Sequence, residues 1–210
     1  MELCDRNTTL GTLKDETIAM CVRKGWGNNG IQHAQHIAMA MMVETMELLE
    51  HFADVPEEQL AIKFSDPEEV TEVAEEAADV MLYSLQIMYT MRYDVSASIA
   101  PEFSDKTTCI SQLREHVGQS PLGLGRQAMR LGIKARFMLE RFQWLNEDEV
   151  QALMRGEYPE KRKEIGDAFS VAFKEMLLLA NKLDFDLAAA IIRKIGIVDK
   201  RVGKKMSPAR

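Results

Sequence analysis

HIAMAMMVETMELLEHF, the stretch from His36 to Phe52, decides the fold of this chain. It contains neither Gly nor Pro and is rich in Met, Leu and Ala, all strong helix formers. Apolar side chains occupy most of its helical circumference, and a helix of that kind is expected to be buried. Its polar groups fall on one narrow stripe, with Ala40 among them: His33, His36, Glu44, Glu47 and His51. The stretch from Pro67 to Tyr93 reads alike, with Glu69, Glu72, Glu76, Asp79, Tyr83, Gln86 and Thr90 on one stripe. Each stripe holds an acidic pair at i, i+3, Glu44-x-x-Glu47 and Glu76-x-x-Asp79. Residues three apart share a helix face, so each pair projects its two carboxylates in one direction.

Working outward, Leu10 to about Gly25 reads as a first helix, ended by a Gly-Asn-rich cluster at Gly27–Gly30. The second helix spans Ile31–Phe52, and Asp54–Asp66 reads as a polar connection containing Pro56. Ser65-Asp66-Pro67-Glu68-Glu69 starts the third helix with a capping side chain, a first-turn Pro and acids placed for the helix dipole. A short helix near Val95–Ile99 stops before Pro101. No alternating strand pattern is present, and the expectation is an all-α bundle of about eight helices.

The second half repeats the plan of the first. His36–Phe52 aligns with Arg126–Phe142 at an offset of 90, with Ala38/Ala128, Met39/Met129, Leu49/Leu139, Glu50/Glu140 and Phe52/Phe142 identical. Tyr93-Asp94-Val95 aligns with Phe185-Asp186-Leu187 at an offset of 92. The order and spacing agree, which favours a duplication: residues 1–103 as one repeat and 104–210 as a degenerate second, packed as a single unit. All four acids are missing from the second copy, where Lys134, Phe137, Ala168 and Val171 stand instead. The expectation is one metal site per chain.

Composition excludes several classes. A net charge of −7 argues against a sequence-independent nucleic-acid binder, which works by neutralising phosphates. The apolar runs are too short to span a bilayer, so no membrane role is expected. Three cysteines without metal-ligand spacing read as reduced thiols, which points to a cytoplasmic protein.

Carboxylates on otherwise buried helices are costly unless paired or metal-bound. These two stripes carry histidines but no Lys or Arg at their centre. A Mg²⁺ ion, or Mn²⁺ in its place, relieves the repulsion, and carboxylate oxygens are its preferred ligands. The histidines have no Cys partner and no zinc-site spacing, so hydrogen-bonded structural roles or substrate-facing roles, the latter for His33 and His36, fit better. Trp26 and Trp144 suit packing or base stacking, and the tail with Lys200, Arg201, Lys204 and Lys205 suits a solvated end or phosphate contact.

These motifs resemble the all-α NTP pyrophosphohydrolases, which include MazG-type enzymes, dCTP pyrophosphatases and dimeric dUTPases. Their E-x-x-E and E-x-x-D helices correspond to Glu44-Thr-Met-Glu47 and Glu76-Ala-Ala-Asp79, with Leu13–Arg23, Trp26 and His36 as a similar lead-in. The resemblance covers residues 10–100 well and 106–202 as a diverged copy. It implies that Glu44, Glu47, Glu76 and Asp79 hold Mg²⁺ and that a nucleoside triphosphate is hydrolysed to monophosphate and pyrophosphate. Two departures stand out. Val43 occupies a position where some members carry a further acid, and the family's Phe-Gln-Trp appears only in the second copy, as Phe142-Gln143-Trp144. Family sites form where helices of two subunits meet. The resemblance therefore implies that the second copy serves as a fused partner, with Trp144, Lys134 or Arg126 at the substrate, in a monomeric pseudo-dimer or a homodimer. Specialisation for dUTP or dCTP is one alternative, and a non-catalytic helical nucleotide-binding or scaffold protein is another.

Overall fold

A computed structural model describes residues 2–27, 30 and 32–201, and among these it contains ten helices and no strand. They are α1 Leu10–Lys24, α2 Ala34–Ala53, α3 Glu57–Lys63, α4 Pro67–Met91 and α5 Val95–Ile99, then α6 Ile110–Val117, α7 Leu124–Phe142, α8 Glu147–Met154, α9 Pro159–Leu183 and α10 Leu187–Lys200. None is long and apolar enough to cross a membrane.

The caps follow the local chemistry. Thr9 caps α1 by accepting from the Thr12 amide, and Gly25 closes it in the left-handed region at φ 65°. Asp66 caps α4, and Pro67 occupies its first turn. The second helix begins at Ala34, with His33 at its N-cap, later than the expected start at Ile31, which lies outside the described residues. The connection Asp54–Asp66 is not wholly irregular. Pro56 precedes α3, Glu57 and Glu58 favour its N-terminus, and Leu60 is fully buried, so this amphipathic turn folds against α7.

One hydrophobic core runs through the chain. α2 packs against α4 and α7, and α9 packs against both of those, so the four long helices close a ring around the core. The last helix of each half packs on the long helix of the other: α10 lies on α4 and α1, and α5 lies on α9. Two buried aspartates tie the exchange. Asp5 accepts from the Leu187 and Ala188 amides at the start of α10 and pairs with Arg114. Asp105 accepts from the Val95 and Ser96 amides at the start of α5 and pairs with Lys14. The two pairs differ by 100 in residue number, and a lone antiparallel bridge, Thr9 with Cys109, joins the two segments at that same offset.

The expected full burial of the second helix does not hold. Its inner face is buried through Ile37, Met41, Thr45 and Leu48, but Met39, Met42, Val43 and Met46 are exposed. α4 and α7 cover two sides of α2, and among the described residues no further layer covers the third.

Candidate metal and phosphate site

α2 and α4 pack along their length, which brings the two acidic pairs together as their i, i+3 spacing requires. Single carboxylate oxygens of Glu44, Glu47 and Glu76 lie within 4.8 Å of one another. Asp79, one turn further along α4, is held by the ammonium of Lys194 from α10. These five residues line a cavity of about 370 Å³ with Met20, Trp26, Leu82, Tyr83, Gln86, Val198 and Arg201. At its floor Gln86 is buried and accepts a hydrogen bond from the Gln32 side-chain amide at 2.9 Å.

The carboxylates strain against one another. Burial, then the charges of Asp79, Glu47 and Glu76, push Glu44 up to about 7. Burial and Asp79 likewise raise Glu76, and burial raises Asp79 against the pull of Lys194. Tyr83 is raised by burial and by Glu44. One oxygen of Glu76 is buried with no hydrogen-bond partner among the described residues. An orphaned buried carboxylate oxygen beside two more carboxylates fits a hard divalent cation, whose preferred donors are such oxygens.

A second grouping, His51, Glu69 and Glu72, sits nearby across the same two helices. There Lys63 reaches Glu69 at 3.3 Å and donates to the His51 carbonyl at 2.9 Å, so that cluster already holds a cation of its own.

The other anticipated site residues scatter. Trp26 and Arg201 line the cavity. Lys200 is exposed and does not line it. His33 and His36 stack edge to face at 5.7 Å, and His33 lines a separate depression, 3.7 Å from Glu147. Their stripe diverges because His33 precedes the helix rather than lying on it. Trp144 is 76% exposed, and Lys134 lies over the Phe137 ring. Neither these two nor Arg126 lines the cavity: α7 packs on the other flank of α2 from α4, so its outer residues face away. Lys204 and Lys205 lie outside the described residues.

The second half reaches the carboxylates through α10 instead. Lys194, Val198 and Arg201 repeat at helical steps behind Leu187 and Ile191, so Lys194 falls on an apolar, buried face. A lysine at that register was the available signal. The stripes of the two acidic helices could not reveal it.

No family model, curated protein or solved structure matches the chain.

Proposed function

We propose that this chain is a Mg²⁺-dependent nucleoside triphosphate pyrophosphohydrolase, releasing pyrophosphate and a nucleoside monophosphate. The observation that carries the reading is the meeting, in one cavity, of four carboxylates from the first half with Lys194 and Arg201 from the last helix. Glu44, Glu47, Glu76 and Asp79 would hold the cation, which when bound supplies charge neutralisation along the phosphate chain and acidifies water. Lys194 and Arg201 would grip phosphate oxygens by charge-assisted hydrogen bonds. Lys194 would leave Asp79 for the substrate. Trp26 and Tyr83 offer aromatic faces to a base or sugar. Water attacks the α-phosphorus, its proton passes to a carboxylate of the cluster, and pyrophosphate departs.

The Lys194–Asp79 pair favours a second reading, because it satisfies one carboxylate without any metal. In that reading the chain is a helical nucleotide-binding protein that does not hydrolyse its ligand. Pyrophosphate release from the eight common NTPs and dNTPs, with Mg²⁺ or Mn²⁺, separates the two and tests dUTP or dCTP preference. The expected result is metal-dependent release that Glu47→Gln or Asp79→Asn reduces by about 100-fold or more. Lys194→Ala is expected to raise KM about tenfold, the equivalent of one charge-assisted hydrogen bond. No release with any of the eight would remove the enzyme reading, and full activity in Asp79→Asn would remove the site assignment.

A further inference from the structure

We propose that the chain binds a small guanidino acid of the L-arginine type in a cavity between α1, the end of α4 and the segment at Asp105. The cavity measures about 680 Å³, within the range of small-molecule sites, and Lys14, Met88, Tyr89, Arg92 and Asp94 are among its walls. Met88 lies nine residues beyond Asp79 on α4, about 14 Å along the helix, so this is not the carboxylate cavity. The second half shows what fits such a place, because Arg114 fills its counterpart. The Arg114 guanidinium donates to Asp5, to the Phe185 carbonyl at 2.7 Å, to the Ala180 carbonyl at 3.1 Å and to the Asn181 side-chain oxygen at 2.7 Å. Lys14 stands 100 positions earlier, and its ammonium makes only the first two of these contacts, to Asp105 and to the Tyr93 carbonyl at 2.9 Å. At the offset of 92 that relates Tyr93 to Phe185, Met88 answers to Ala180 and Tyr89 to Asn181, and both line the cavity. The groups that Arg114 covers with the rest of its guanidinium therefore correspond, beside Lys14, to cavity wall.

The chemistry of the wall selects the ligand. Met88 belongs to the last turn of α4, where carbonyls carry the negative end of the helix dipole, and the cap amide of Arg92 goes to Tyr89 rather than to Met88. Asp15 and Asp94 add full negative charges to the same wall, while Lys14 is already neutralised by Asp105. These groups call for a cation that donates hydrogen bonds. Tyr89, 38% exposed, offers a ring face on which a planar guanidinium stacks better than an ammonium does. Arg92 and Lys106, both exposed, line the cavity as well and suit a carboxylate. A ligand with a guanidinium at one end and a carboxylate at the other matches both sets of charges. A simple amine or a simple acid matches only one.

Isothermal titration of the full chain without Mg²⁺ tests the site, and its outcome is independent of the proposed hydrolysis. L-Arginine is expected to bind saturably, one molecule per chain. Agmatine, which lacks the carboxylate, and citrulline, which lacks the positive charge, should each bind about tenfold more weakly or worse. Lys14→Arg supplies the guanidinium from within the chain, as Arg114 does, and should abolish binding with helical circular dichroism unchanged. Tyr89→Ala, at a partly exposed position, should weaken binding about fivefold, the loss of one cation–π contact, and decides the matter if Lys14→Arg does not fold. No saturable heat with L-arginine up to about 10 mM overturns the proposal. So does binding at full strength in Lys14→Arg or in Tyr89→Ala, which would put the ligand elsewhere on the surface. Citrulline or L-lysine binding as well as L-arginine overturns the guanidinium assignment.

Discussion

The two long helices α4 and α9 have the same length, yet their acids live under opposite conditions. Each starts at a proline, runs 25 residues and closes in the left-handed region, at Arg92 and Asp184. In α9, Glu175 is 2% exposed and fully provided for: Arg130 donates to one oxygen at 2.8 Å and Gln127 to the other at 2.9 Å. In α4, Glu76 keeps a buried oxygen without a partner and faces Glu44, Glu47 and Asp79. A buried carboxylate that its neighbours satisfy belongs to the architecture. One left unsatisfied among its own kind is the observation on which the proposed cation site rests.

Three measurements press on that contrast. The frame shared by both halves predicts the largest effect. Asp5→Ala and Asp105→Ala should each cost about 3–5 kcal/mol in urea unfolding, because each strands a buried cation and leaves two amides at a helix start without their acceptor. Equal costs would support the exchange of α5 and α10 as a symmetric device, and a large inequality would break it. Next, Glu175→Ala should destabilise by roughly 1–3 kcal/mol, whereas Glu76→Gln should stabilise the metal-free chain. If both variants lose stability alike, the two acids do the same job and the contrast fails.

The smallest effect is on pH dependence. Between the ordinary carboxyl range and about 7, the folded chain keeps on Glu44 a proton that the unfolded chain releases. Metal-free stability attributable to this group is therefore full at low pH and falls as pH rises through that window. Allowing for its solvent contact, the loss is about 1 kcal/mol, or ~2–4 °C in Tm. Comparing melting curves with those of Glu44→Gln isolates it, and saturating Mg²⁺ should abolish the difference. A wild-type Tm that follows the variant at every pH would show that the carboxylates do not repel.

Much of this molecule is legible in local spacing. Helix boundaries near Leu10 and Pro67, the cap at Asp66 and the sharing of one helix face by each carboxylate pair all follow from local residue chemistry and three- and four-residue periodicity. The helix α3 was hidden because a seven-residue amphipathic turn after a proline differs little from a polar loop until Leu60 has something to pack on.

Of the residues opposite the acids, the sequence marks Trp26 and Arg201 but not Lys194. The resemblance implies Lys134 and Trp144 at the substrate, but α7 turns them outward, while the last helix carries Lys194 and Arg201, more than a hundred positions along the chain from the acids, into the cavity. The open face of α2 was hidden for the same reason. An apolar circumference states that a helix prefers burial, but only the packing of its neighbours decides which sides are covered. Periodicity is a property of one helix and survives in the sequence. Which helix stands across from it depends on how long connections route the chain, and that is decided only when the whole core closes.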